Sequence, residues 1–459
     1  MITFQDFQAA TNIPKFLGSS IAAYMRTEEY KIAKEADEYE RQRNTAIINF
    51  VRKVYDITGV SAPDYASPNN RISSNFLHRL ITQRCAYSLG NGVAFAGQTT
   101  TRNEDQTLTV TDPTKDELGA GFDDVLFRVG YLALQHGRSY CFYNDGEYSV
   151  FPMTEFLPFY DENTGAIRAG VRFWSVDWGK RPITAELFEE DGYTVFRTQA
   201  KKYGLGALEV LEEKRHYKET VEYSEADGER VVGGTDYTTL PIAVMYANRA
   251  KQSALVGMKA NIDAYDLVHS GFANDLAECA QIYWIISNAQ GMQEDDIRKL
   301  RDRLLMQHMA VIDEDHGGTV TPHTQEVPYN AREACLDRIK NSIFRDFGAL
   351  DVESISAAAK TATEINAAYQ PMDEEADAFE YQVNDFIQQI LRLAGLQDTP
   401  IFTRNRIQNQ KEQTEMVMLA ANQLDQETIL RKLPFITVDE IDAILARKDK
   451  TDGATFAFE

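Results

Sequence analysis

Hydrophobic and polar positions repeat with two different periods along the chain and divide it into blocks. The first block, with "TEEYKIAKEADEYERQRNTAIINFVRKVYDITG", mixes acids and bases at helical spacing, the pattern of a solvated helix face. A Pro/Ser/Asn loop, "GVSAPDYASPNN", follows. Ile72, Phe76, Leu77, Leu80, Ile81, Cys85 and Leu89 then form one apolar stripe. The stripe predicts an amphipathic helix, closed by Gly90-Asn91-Gly92 because glycine tolerates the left-handed cap conformation. Residues 96–117 are polar and predict an exposed excursion. "FDDVLFRVGYLALQHG" predicts another helix closed by glycine. From 138 to 248 the period drops to two, with β-branched and aromatic residues in "SYCFYND", "YSVFPM", "AIRAGVRFWSV" and "YTVFRT". "YDENTGAIRAGVRF" predicts two strands joined by an Asn-Thr-Gly turn.

Helical spacing returns after 251. Leu255, Met258, Ile262, Tyr265, Leu267, Val268, Phe272, Leu276 and Cys279 predict a helix within 251–285. "QEDDIRKLRDRLLMQHM" opens with acids and continues with bases, matching the helix dipole. "MAVIDEDHGGTVTPHTQEVP" is short, strand-like and turn-rich. Leu336, Ile339, Ile343 and Phe347 mark a further helix, and Phe379, Val383, Phe386, Ile390 and Leu393 a long one. The tail, 399–459, predicts two or three short helices. The pattern as a whole is α+β, mainly helical with a β-rich subdomain.

Composition adds one unusual fact. A hydrophobic fraction of 43% is ordinary, but 47 basic and 70 acidic residues give a net charge of -23. Duplex DNA carries about one negative charge per 1.7 Å, so such a surface repels it. That argues against a protein that grips DNA, and it equally suits one that lets DNA pass without sticking. Composition alone favours the first. Cys85, Cys141, Cys279 and Cys335 lie far apart in apolar text, with no metal-ligand spacing, and are expected to be buried free thiols. The amino end has no secretory pattern, and no apolar run approaches a membrane span of about 18 residues. A soluble, intracellular chain is expected.

No residue pattern argues for catalysis. Gly179-Lys180 lacks the first glycine and the hydroxyl of a nucleotide-binding loop. "YGLGALE" and "LGNGVAFAG" are turns or caps. His308, His316 and His323, with Asp313, Glu314 and Asp315, match no zinc or EF-hand spacing, and "DEDHGG" is a charged turn. No GxSxG elbow is present. Trp174 and Trp178 could stack bases, but sheet packing explains them more simply. No cofactor and no metal is expected.

Three segments carry a resemblance. "NNRISSNFLHRLITQRCAYSLGNGVAF" and "LPIAVMYANRAKQSALVGMKANIDAYDLVHSGFANDLAECAQIYWIISN" resemble tailed-phage portal proteins of the long-tailed SPP1 type. The second contains the family's pattern as Ile262, Asp263, Ala264, Tyr265 and Asp266, then Ala273, Asn274, Asp275 and Leu276. The third likeness is the order helix, small insert, helix, loop, long helix. The match covers 67–395; the amino-terminal helical region, 1–66, has no clear counterpart. The resemblance implies a portal fold: a wing over 67–250, stem helices over 251–285 and 330–349, and an α/β clip over 286–329. It further implies a tunnel loop over 350–361, a long kinked wing helix over 362–398 and a crown over 399–459. It implies a non-enzymatic ring, typically of twelve subunits, at one capsid vertex. The ring conducts double-stranded DNA, without sequence specificity, during packaging and ejection. Implied partners are the terminase large subunit, major capsid and scaffolding proteins and a head–tail adaptor. The implied location is the virion, with the host cytoplasm during assembly. Two other classes stay open: another virion protein, such as a minor head protein or adaptor, and a metal-dependent phage nuclease using scattered carboxylates.

The stretch "SISAAAKTATEINAAYQPM" joins two helical blocks. Thr361 and Glu364 have capping-box spacing, so the long helix is expected to start at Ala362, with Pro371 kinking it. From sequence alone the residues before it are an ordinary interhelical connection. In a portal they would be the tunnel loop, with Ser354, Ser356 and Lys360 facing DNA phosphates.

Overall fold

The computed structural model describes residues 2–55, 59–65, 67–102, 108–177, 181–201, 204–224, 228–279, 283–287, 319–323, 329–352 and 362–405, with isolated positions in 293–299 and 414–444. The chain divides into two units. One comprises Met1–Gln42, Asn75–Lys259 and Phe344–Glu459; the other, Arg43–Ser74 and Ala260–Ile343. Among the continuously described residues the α-helices in chain order are α1 (Phe4–Gln8), α2 (Ile13–Tyr24), α3 (Glu28–Glu40), α4 (Thr45–Ile48), α5 (Phe76–Leu89), α6 (Pro113–Leu118), α7 (Phe122–His136), α8 (Ala254–Cys279), α9 (Tyr329–Phe347) and α10 (Ala362–Ala394).

The first unit is organised around a five-stranded antiparallel sheet. Its strand order is Glu209–Arg215, Gly192–Thr198, Ile183–Glu189, Ile167–Trp174, Phe156–Tyr160. Because side chains alternate between faces, neighbouring residues enter different cores. Phe159, Val171, Phe173, Ala185 and Leu187 pack with Leu17 and Ile21 of α2, Phe7 of α1 and Ala33 of α3. Phe156 and Phe188 pack on the other side with Tyr140, Phe151 and Ile242. These last three come from a three-stranded sheet ordered Ile242–Tyr246, Arg138–Asn144, Glu147–Pro152. The sheet therefore lies between the amino-terminal helices and a second, smaller sheet. The hairpin expected around Asn163-Thr164-Gly165 is present as Phe156–Tyr160 with Ile167–Trp174, with Leu157 opposite Val171 and Phe159 opposite Ala169. Gly170 faces the Phe156 ring, and a β-carbon there would sit 2.2 Å from its Cζ.

The mixed α+β class holds, and several boundaries move. The division between the two units falls at Gln42/Arg43. The helix expected from Ile72 starts at Phe76; Ile72 belongs to a segment whose backbone bonds to side chains instead. α7 ends as expected, on Gly137 at φ +94, where a β-carbon would meet the Lys251 carbonyl at 2.7 Å. The excursion at 96–117 contains a hairpin, Thr99–Arg102 with Leu108–Thr111, and most of α6. The helix expected from the Leu255-to-Cys279 stripe is present as α8; it stops at Cys279, and Tyr283–Ser287 pairs with Thr319–His323. The aromatic and β-branched run "YWIIS" prefers that state. α10 runs unbroken from Ala362 to Ala394 with Pro371 inside it. Pro400–Phe402 pairs with Val93–Phe95, so residues after 399 begin as part of the first unit. Cys85 and Cys141 are buried thiols, each pushed up to about 12 by burial, whereas Cys335 is exposed. Among the described residues no helix is long and apolar enough to cross a membrane.

Candidate functional site

In the second unit the motif helix α8 buries a stripe with a four-residue step: Ile262, Asp266, Ser270 and Asn274. After the isoleucine the stripe is polar, and each polar side chain holds the backbone of the segment 70–74. Asp266 accepts from the Ser74 N–H at 2.9 Å. Ser270 accepts from the Ile72 N–H at 3.0 Å and donates to the Ile72 carbonyl at 3.4 Å. Asn274 accepts from the Asn70 N–H at 2.6 Å and donates to the Asn70 carbonyl at 3.5 Å. Four helical residues rise about 6 Å and two extended residues span about 6.6 Å, so the two chains stay in step. The segment lies in neither helix nor sheet, and this ladder supplies partners its backbone would otherwise lack.

A further donor comes from Asn44, whose amide N–H₂ also bonds to the second oxygen of Asp266 and to the Ser74 carbonyl, the latter at 3.1 Å. Burial raises the Asp266 carboxyl above its ordinary value. The bonds from Asn44 and Ser74 oppose that rise, and the nearby Asp263 adds to it.

The other motif positions are dispersed around the helix. Asp263 and Tyr265 are half-buried and Ala264 is exposed. The Tyr265 ring meets His269 edge-on at 5.7 Å. Asp275 forms an ion pair with Arg332 of α9, whose guanidinium lies 6.0 Å from the Phe272 ring. Phe272 also meets Tyr329 of α9 at 5.8 Å. Sequence periodicity named the apolar residues of α8 and missed the ladder: Leu267 and Leu276 are exposed, while Ser270, Asn44 and Asn70 were not singled out. The signal was present as polar residues spaced by four in line with Met258 and Ile262.

Ser354, Ser356, Lys360 and Thr361 lie outside the described residues, as do Trp178, His308, Asp313, Glu314, Asp315 and His316. Glu364 is exposed in the first turn of α10. The residues flanking 353–361 are held by α5 in the first unit. Gln83 donates to the Leu350 carbonyl at 2.9 Å and accepts from the Leu350 N–H at 3.2 Å. Arg84, nearly buried, donates to the Phe347 carbonyl and to Glu375 of α10, and its guanidinium stacks 4.4 Å from the Phe347 ring centre. Tyr87 donates to Asp373 at 2.5 Å and stacks on Tyr369 at 5.9 Å. One helix thus fixes the end of α9 and the first half of α10 together.

The pattern of the family "Phage portal protein, SPP1 Gp6-like" matches residues 21–454. The chain belongs to that family. A portal protein of Clostridium phage phiCD119 is 22% identical over 411 residues, covering 84% of this chain and 86% of that protein. The resemblance carried by "IDAYD" and "ANDL" is thereby borne out. The function is that of a phage portal: a structural, non-enzymatic family, located in the virion at the capsid vertex, with a role in DNA packaging. The family assembles as a ring and works with capsid and terminase proteins.

Proposed function

We propose that twelve copies form the ring and that double-stranded DNA passes through it in packaging and in ejection. The ring docks the terminase large subunit during packaging and a head–tail adaptor afterwards. It is built into the shell with major capsid and scaffolding proteins, after synthesis in the host cytoplasm. The single observation that carries this reading is the family match across nearly the whole chain. Within it, α8 and α9 are stem helices, 286–329 is clip, α10 is the long wing helix and the tail is crown. Pro371, having no N–H, leaves the Ala367 carbonyl without its helical donor and gives α10 a place to bend. Residues 350–361 are the tunnel loop. The clamp from Gln83, Arg84 and Tyr87 supports that assignment, because a loop that meets moving DNA needs firm ends. Ser354, Ser356 and Lys360 meet the duplex, with Lys360 the loop's lone cation in a strongly acidic chain. The acidic balance keeps DNA from adhering elsewhere.

The test is Lys360→Glu in an assembled head. Rings should form at wild-type yield, and the amount of DNA packaged should fall. Wild-type packaging in the variant would return 350–361 to an ordinary connection.

A further inference from the structure

The segment 43–74 carries a hairpin, Lys53–Tyr55 with Ser61–Pro63, in which Val54 pairs with Ala62. Every residue of both strands is exposed. Around them Val51, Val54, Tyr55, Val60 and Tyr65 are exposed as well, Tyr55 at 70% and Tyr65 at 92%. A two-stranded hairpin with neither face covered is marginally stable in water. An apolar hairpin of this kind needs a surface from outside the subunit. The end of the segment is not loose: the Asp266, Ser270 and Asn274 ladder ties residues 70–74 to α8. Arg52 ties the first strand's edge through Glu278 at 2.6 Å and Asp64 at 3.5 Å.

Charge indicates which surface. Even with Arg52 held inside the subunit by Glu278 and Asp64, the segment 43–74 keeps more bases (Arg43, Arg52, Lys53 and Arg71) than acids (Asp56 and Asp64), whereas the whole chain carries -23. A basic, apolar arm on an acidic protein is complementary to another copy of that protein. We infer that the hairpin of one subunit inserts into the adjacent copy in the ring, so that Val54 on one face and Tyr55 on the other are both covered there. The inference rests on ring assembly, and not on the number of copies or on the assignment of 350–361.

The experiment uses the full-length chain, purified and separated by size into assembled and unassembled fractions. With Tyr55 replaced by the photo-crosslinker p-benzoylphenylalanine, irradiation should give two-chain products in the assembled fraction only. Val54→Asp with Tyr55→Asp should raise the concentration for half-assembly by about tenfold or more, since both positions would become charged in a desolvated contact. Its unassembled form should melt as wild type does, because both residues are exposed in the subunit. Tyr65→Ser gives a milder change in the same direction. Products within one chain only, two-chain products of equal yield in both fractions, or an unchanged half-assembly concentration in the double variant would each overturn the inference. A wild-type chain that never assembles would instead contradict the ring itself, so the two failures are distinguishable.

Discussion

The five-stranded sheet of the first unit and the motif helix of the second are stabilised in opposite ways. In the sheet the alternation of the sequence and the burial coincide: Phe159 and Leu187 go one way, Phe156 and Phe188 the other. Along α8 beyond Ile262 they part. Asp266, Ser270 and Asn274 are buried, and Leu267 and Leu276 are exposed. The four strands over 156–198 cover their large apolar side chains within one subunit, and only the edge strand Glu209–Arg215 leaves Val210 and Leu211 exposed. The helix uses its buried face to order a neighbouring segment and leaves apolar side chains outside. That is the economy expected of a chain that finishes folding in a ring.

The contrast can be broken at either end. The largest effect is expected from Phe159→Ala. The ring is fully buried and stacks on Phe7 at 5.3 Å. Its loss should cost about 3–5 kcal/mol in urea unfolding of the first unit. Next is Asp266→Ala, which strands the Asn44 and Ser74 donors in a buried place. Each stranded donor costs about 1–3 kcal/mol. Hydrogen exchange should show lost protection at the Ser74 amide and no change in the five-stranded sheet. A uniform loss across both units would mean that the ladder is not local.

A smaller effect is expected from pH. The Asp266 carboxyl is raised in the folded state. Its contribution is therefore fully present below the unfolded aspartate value, about 3.9, and is lost as pH rises through the folded value. The opening free energy of segment 70–74, read by hydrogen exchange, should decline with rising pH in the wild type. Asp266→Asn should remove that slope. The smallest effect is Leu267→Ser, expected within about 0.5 kcal/mol in the unassembled chain because the side chain is exposed.

What the sequence disclosed follows the same division. The sheet hairpins, α7 with its glycine stop and the bounds of α10 were legible because local period, turn chemistry and burial agree there. The polar ladder was not. An apolar-periodicity reading scores Leu267 and Leu276 as core and passes over Ser270, whose role depends on the distant backbone of Ile72. The start of α5 was missed for the same reason. Ile72 fits the apolar stripe by spacing, but its N–H and carbonyl belong to Ser270. The clamp of Gln83 and Arg84 on residues 347–350 joins positions more than 260 apart in sequence, as the separations of 267 and 263 show, and no local pattern encodes it. The family motif was legible as letters before its physical meaning was. Asp266 and Asn274 are conspicuous in "IDAYD" and "ANDL", and the reason is the segment they hold.

The central claim is that this chain builds a portal ring around DNA. It is tested most directly by electron cryomicroscopy of the purified, assembled full-length protein. The expected result is a closed ring with an open central channel, and residues 353–361 of each copy nearest the axis. Particles without a channel, or a ring in which that segment lies away from the axis, would contradict it.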